Sequence, residues 1–214
     1  VKQMVDAFLD AGFTYFDTAY GYHNEQSEVV CREALVKRHP RDKYVLATKL
    51  PLWHIKEAGD MERLFETQME RTTAGYFDFY MLHAFNKAYL AKLDEVDVWA
   101  FMRKLKEDGK VRHIGLSFHD SAEVLDDLLT KHPEFEFVQL QINYADWEDE
   151  NVQSRLCYEV ARRHGKSVII MEPVKGGSLA ALPQAARDAL KAARPDASVA
   201  SWAMRFAASL EGVI

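Results

Sequence analysis

The chain has 214 residues, of which 48% are hydrophobic and 28% charged, with a formal net charge of -6. This is the balance of an ordinary globular protein rather than a disordered one, and the acidic excess leaves no basic field to hold nucleic acid. No apolar run approaches the length of a membrane span, and the N-terminus lacks the basic start and apolar stretch of a signal peptide. Cys31 and Cys157 both fall in helix-like segments, so neither a disulfide framework nor a Cys-rich metal site is expected. A cytoplasmic location, with no nucleic-acid or membrane partner, is the expectation.

Read in order, the chain opens on a helix, VKQMVDAFLDAG, whose apolar face is Met4, Val5 and Phe8 and whose stop is Gly12. A strand follows over Thr14–Thr18, then a helix lined by Cys31, Ala34 and Leu35. The second strand is Tyr44–Lys49; after it Asp60 reads as a helix cap ahead of Met61, Leu64 and Phe65. The third strand, Phe77–His83, precedes a helix striped by Val98, Phe101, Met102 and Leu105 and ended by Gly109. Strand Val111–Ser117 leads to Asp120 and Glu123, at capping-box spacing before Val124, Leu125, Leu128 and Leu129. Strand Phe137–Ile142, a helix with Leu156 and Val160 stopped by Gly165, and strand Val168–Glu172 continue the series.

Residues 176–197, Ala-rich with Pro183 and Pro195, read as a loop with a short helix lying over the top of a barrel. A last helix carries Val199, Trp202, Ala203, Phe206 and Leu210, and Gly212–Ile214 opens a strand cut short. Both termini thus fall inside elements, so a portion of a longer protein, or its ordered part, is expected.

Most of these strands are continuous apolar runs, as parallel strands covered on both faces should be. Strand and helix alternate about seven times, which right-handed crossovers convert into a doubly wound sheet or a barrel. No G-x-G-x-x-G fingerprint follows any strand, which disfavours a Rossmann domain. The expected fold is a (β/α)8 TIM barrel in one partial domain spanning 1–214, without its first strand and the end of the barrel.

Four polar residues punctuate the first three strands. Asp17 closes YFDTA, Tyr22 follows it by five, Lys49 closes YVLATK and His83 closes FDFYMLH. The carboxyl edge of a barrel is where chemistry is done, so an acid, a phenol, an amine and an imidazole are candidates for one pocket. A tyrosine with a reference pKa of about 10 is a weak acid, and a nearby ammonium favours its phenolate. Such a set suits protonation of a carbonyl oxygen as a hydride arrives at its carbon. Each residue alone has a commoner fate, as a solvated strand end, a turn cap or a packing ring. Their joint placement on successive strands carries the signal.

Three stretches carry a family resemblance. AGFTYFDTAYGYHNEQSE resembles the segment of the aldo/keto reductases that holds a catalytic Asp and Tyr five apart. ATKL resembles the strand of their catalytic Lys, and YMLH that of their catalytic His. GKVRHIGLS and QINY resemble the family's next two strands, so the likeness runs from end to end. It implies Tyr22 as general acid/base, Lys49 and Asp17 as its electrostatic partners, and His83 as the residue that orients the carbonyl. It implies Ser117 and Gln141 as ligands of a nicotinamide carboxamide, NADP(H) ahead of NAD(H), and a small-molecule carbonyl substrate.

The chain departs from the family where Phe118, then His119 and Asp120, follow Ser117 in place of the usual Asn. Met171 stands where many members stack an aromatic ring on the nicotinamide. The loop of Lys175, Gly176 and Gly177 is a candidate for approaching a pyrophosphate through backbone amides. SFHDSAEVL and MEPVKGG look most like a microbial branch whose members often carry a C-terminal iron–sulfur module. That cluster would need cysteines beyond Ile214. Two rival readings stand beside a reductase: a slow, cofactor-binding regulatory subunit on the same fold, and a barrel lyase using Lys49 as a Schiff-base nucleophile. The sequence sets neither the substrate nor the oligomeric state.

Overall fold

The computed structural model describes residues 1–214. The chain divides into two compact units: residues 1–118 with 132–136, and residues 119–131 with 137–214. No helix is long and apolar enough to cross a membrane.

In the first unit, α1 (Lys2–Asp10) ends at Ala11, and Gly12 adopts φ +87, the left-handed turn that glycine makes without a Cβ penalty. The chain then enters β1 (Tyr15–Asp17), the helical turn α2 (Tyr22–Glu25) and α3 (Ser27–Cys31), which runs on as a wider turn over Arg32–Val36. Next come β2 (Val45–Pro51), α4 (Gly59–Thr72) and β3 (Phe77–Phe85). Two helices, α5 (Leu90–Glu95) and α6 (Val98–Glu107), lead into β4 (Val111–Phe118). The four strands are parallel and adjacent in chain order.

Register decides which side chains share a face, because strand residues alternate between faces. Asp17 pairs with Ala47, Lys49 with Met81, Pro51 with His83, and Met81 with Gly115. Asp17, Lys49, His83 and Ser117 therefore fall on one face of this sheet. Thr48 pairs with Tyr80, and both fall on the other face, which α4 covers with Phe65 and Gln68.

In the second unit, α7 (Ala122–Lys131) precedes β5 (Phe137–Gln141), α8 (Ser154–Arg163) and β6 (Ser167–Met171). The helices α9 (Gln184–Ala193) and α10 (Val199–Ala208) complete it. β5 and β6 are parallel, with Gln141 opposite Met171. Leu125, Val138, Leu140, Ala161, Val168 and Ala203 are buried.

Neither unit skips a strand or reverses the order, as a doubly wound sheet would at its switch point. Six parallel strands alternating with helices make this an incomplete (β/α)8 barrel, as the sequence predicts.

Four boundaries differ instructively from the sequence reading. β2 and β3 run two residues past Lys49 and His83, to Pro51 and Phe85. Pro51 ends its strand where a missing N–H is tolerated. The β3–β4 register shifts between Leu82 and Phe85, with Ala84 at φ +52. Such a bulge re-aims side chains, and it flanks His83. The last predicted strand is reduced to one bridge, Val213 to Val168. Asp60 lies inside α4 rather than capping it; its carboxylate instead accepts from the amides of Lys56 and Glu57 at 2.8 and 2.9 Å.

Candidate active site

Lys49 is 1% exposed, and burying an ammonium requires a partner. It has two: its Nζ forms an ion pair with the Asp17 carboxylate and donates to the carbonyl oxygen of Thr18 at 3.0 Å. The stagger of the strands makes this possible. Asp17 is the last residue of β1, Lys49 lies two residues beyond its register partner Ala47, and both face the same side.

The same Nζ sits 4.8 Å from the centroid of the Tyr22 ring, a cation–π distance. Tyr22 packs edge-on against His83 at 5.5 Å between centroids, and Trp53 packs against His83 at 5.0 Å. Asp17, Tyr22, Lys49 and His83 thus form one contiguous cluster in the first unit. Trp53, from the turn after β2, joins it.

Three tyrosines lie close by, and their surroundings separate them. Tyr15 is on the same face as Asp17, and burial pushes its phenol far up, with Asp17 and Tyr22 adding to the shift. It stays protonated and is unfit for proton exchange near neutrality. Tyr20 is covered by the Arg71 guanidinium, 4.0 Å from its ring centroid. Tyr22 is 40% exposed, which leaves its ring open to a small molecule. Its loop is held down by α4: Arg71 donates to Glu25 at 2.7 Å and to the Tyr20 carbonyl at 3.5 Å.

Behind β2 lies a polar network that sequence reasoning missed. Glu28 is fully buried and accepts from Thr48 Oγ1 and Gln68 Nε2, both at 2.7 Å. Gln68 Nε2 also reaches Thr48 Oγ1 at 3.1 Å and the carbonyl oxygen of Lys49 at 3.0 Å. Tyr80 donates its hydroxyl proton to Gln68 Oε1 at 2.7 Å. Burial raises the Glu28 carboxyl above its ordinary value; the bonds from Thr48 and Gln68 and the nearby Arg71 oppose that only in part. The network therefore grips the peptide of Lys49 from the face opposite its ammonium. A lone Glu in SEVVC and a lone Gln in the helix of α4 give no sequence signal distinct from ordinary surface positions.

Of the residues expected to hold a nicotinamide, Ser117 is buried in the first unit on the face of Lys49. Gln141 ends β5 in the second unit, opposite Met171. There Asp146, 1% exposed, accepts from Gln141 Nε2 at 2.9 Å and Asn143 Nδ2 at 2.7 Å and forms an ion pair with Lys175. Lys175 is thus committed to a carboxylate. In its loop, Gly176 and Gly177 take φ +59 and +94, and the Gly177 amide is already bonded to the Val174 carbonyl. His119 is partly buried, which lowers its pKa. A cavity of about 570 Å³ lined by Tyr144, Leu190, Trp202 and Phe206 lies within the second unit and is apolar.

Comparison with known proteins gives the class of protein. The model of the aldo/keto reductase family matches residues 1–214, and the chain belongs to that family. It is 28% identical over 197 residues to an NADH-specific methylglyoxal reductase of Escherichia coli, covering 82% of this chain and 57% of that protein. It is 31% identical over 164 residues to the aldo-keto reductase YhdN of Bacillus subtilis, covering 73% and 47%. The chain thus spans about half the length of the curated relatives it matches. Among solved structures, a thermostable aldo-keto reductase in complex with epalrestat superposes with a TM-score of 0.81 at 21% identity, over 100% of this chain and 74% of that one. An aldo-keto reductase of Klebsiella pneumoniae in complex with NADPH gives 0.78 at 24%, over 99% and 73%. At these identities the likeness shows the fold.

Proposed function

We propose that the protein is an NAD(P)H-dependent carbonyl reductase in which Tyr22 gives a proton to the substrate oxygen. The observation that carries this reading is the buried ammonium of Lys49, paired with Asp17 and set 4.8 Å from the Tyr22 ring. A barrel wall gains nothing by burying a lysine ammonium beside a part-exposed carboxylate when an apolar residue of similar volume serves at least as well. A site that must stabilise a developing phenolate gains a great deal.

The residues present fit a nicotinamide cofactor. The face that bears Lys49 and His83 also presents the buried Ser117, and Gln141 ends its strand opposite the pliable Met171. A reduced nicotinamide supplies a hydride to the carbonyl carbon. The protein's own groups do the rest. The Asp17 carboxylate keeps Lys49 charged and placed, and Lys49 favours the anion that Tyr22 becomes on losing its proton. His83, in contact with the rings of Tyr22 and Trp53, is proposed to hold the carbonyl oxygen beside the phenol. Trp53, 44% exposed, offers an apolar wall for the substrate. Ser117 and Gln141 are proposed as ligands of the carboxamide. The relatives include reductases of methylglyoxal and glyoxal, so short reactive dicarbonyls head the substrate panel, with NADP(H) placed ahead of NAD(H).

The test is deuteride transfer. Cofactor carrying deuterium at C4 should deliver it to the carbinol carbon of the product, with one cofactor oxidised per alcohol formed. Alcohol formed without deuterium would refute hydride delivery from the cofactor, and cofactor binding with no turnover on any aldehyde or diketone would move the protein to the regulatory class. Borohydride trapping of a substrate on Lys49 would instead reveal an imine-forming enzyme.

A further inference from the structure

In the second unit the buried Asp146 dictates which way the Gln141 amide faces. A side-chain amide has a donor and an acceptor end that differ only in their hydrogen-bond partners. Both bonds at Asp146 Oδ2 arrive from amide nitrogens, Gln141 Nε2 at 2.9 Å and Asn143 Nδ2 at 2.7 Å. An ionised carboxylate only accepts, so neither amide can reverse while it is present. Burial would raise the Asp146 carboxyl, but the bonds from Lys175, Gln141 and Asn143 outweigh it and hold the group below its ordinary value.

The arrangement is braced on every side. Asn143 Oδ1 accepts from the amides of Ala145 and Asp146 at 3.0 and 2.9 Å, and its Nδ2 also reaches the Glu172 carbonyl at 3.1 Å. Ser154 Oγ donates to the Gln141 carbonyl at 2.6 Å, fixing the backbone from which the amide projects. With its nitrogen turned to Asp146, Gln141 has its Oε1 at the opposite end of the amide.

We propose that Asp146 is a positioning residue that makes Gln141 a hydrogen-bond acceptor, and thereby selects a cofactor ring bearing a carboxamide N–H over one bearing only a carbonyl. This rests on the reading of Gln141 as a carboxamide ligand. The 3-acetylpyridine analogues of NAD+ and NADP+ are the discriminating probes, because they keep the carbonyl and replace the NH2 by a methyl group.

The experiment measures, by calorimetry on the full gene product, the ratio of Kd for each 3-acetylpyridine analogue to that of its parent. One hydrogen bond predicts a wild-type ratio of roughly tenfold, equivalent to about 1.4 kcal/mol. Asp146→Ala frees the amide to turn and should bring the ratio near one. Asp146→Asn should keep the wild-type ratio, because two amide donors, from Gln141 and the backbone-fixed Asn143, demand an oxygen at the Oδ2 position, while the half-exposed Lys175 is free to swing away from the NH2 left at the other. Circular dichroism checks that each variant is folded, and the wild-type ratio needs no variant at all.

A wild-type ratio near one overturns the proposal. So does an unchanged ratio in Asp146→Ala, or a collapse in Asp146→Asn equal to that in Asp146→Ala. Gln141→Ala separates the two layers. If it collapses the ratio while Asp146→Ala does not, Gln141 is a ligand that Asp146 does not orient. If it leaves the ratio intact, the carboxamide reading fails and the proposal with it.

Discussion

Replacing Gln68 by Leu tests the network behind β2, because the two side chains are close in volume and differ in every polar contact. Gln68 is fully buried and makes four hydrogen bonds of 2.7–3.1 Å: to Glu28, Thr48 and the Lys49 carbonyl through its nitrogen, and from Tyr80 through its oxygen. In Gln68→Leu the Tyr80 hydroxyl loses its acceptor, at a cost of about 1–3 kcal/mol for a buried orphan. The Glu28 carboxylate loses one of its two short bonds, a charge-assisted one worth about 1.5–3 kcal/mol. The sum is about 2.5–6 kcal/mol, a substantial share of the roughly 5–15 kcal/mol that holds a whole domain.

Urea denaturation of the variant reads this as a fall in midpoint without a change in slope. Tyr80→Phe, made alone, strands Gln68 Oε1; made on top of Gln68→Leu, it removes the orphan. The double-mutant cycle should therefore show a coupling of about 1–2 kcal/mol, the pair costing less than the sum of the singles. A Gln68→Leu protein within about 1 kcal/mol of wild type, or a strictly additive cycle, would refute the reasoning.

Three further perturbations follow from the same contacts. Folding raises the Glu28 carboxyl above its ordinary value of 4.5, so its contribution to stability is full below that value and declines as pH rises through the folded one. Glu28→Gln, which does not titrate, should therefore gain on wild type between pH 4.5 and 8, read as the difference in unfolding midpoint; a difference that is flat or falls with pH would contradict this. Burial pushes the Cys157 thiol to about 12, leaving roughly one thiolate in ten thousand at pH 8. Iodoacetamide should label it only as fast as the protein unfolds, and prompt labelling in native buffer would count against the burial described. Asp78, 3% exposed, accepts from Arg41 at 2.6 Å, Arg112 at 3.0 Å and the Leu46 amide at 2.9 Å. Asp78→Ala should cost about 1–3 kcal/mol by leaving the buried Leu46 amide without its acceptor, and a thermal midpoint shifted by less than about 2 °C would show the cluster to be idle.

The face that bears Asp17, Lys49 and His83 was legible because it follows from strand parity and from polar residues that interrupt apolar runs. Asp17, Lys49 and His83 stand out in YFDTA, VLATKL and FYMLH, and the register then forces them to one side. Their position relative to the strand ends was not legible. Pro51 reads as a breaker yet closes β2, and the shift after Leu82 depends on pairing with β4 rather than on any local preference.

Glu28, Gln68 and Asp146 were invisible for a common reason. Each is a residue type usually found in water, and only tertiary contact buries it. Asp146 in particular lies in NYADWEDE, where Glu148, Asp149 and Glu150 suggest a solvated acidic loop. Sequence periodicity reports which face of an element is apolar. It does not report which polar side chain another element will enclose.

The central claim is that Tyr22 supplies the proton while its neighbours hold it ready. The most direct measurement is the rate of NADPH and NADH consumption with methylglyoxal and related aldehydes, for wild type and Tyr22→Phe, with cofactor affinity determined for both. The account predicts that wild type consumes cofactor and that Tyr22→Phe loses turnover by roughly 10²–10⁴-fold while binding cofactor as before. A Tyr22→Phe protein that turns over within a few-fold of wild type would contradict it and pass the proton-donor role to another group on that face.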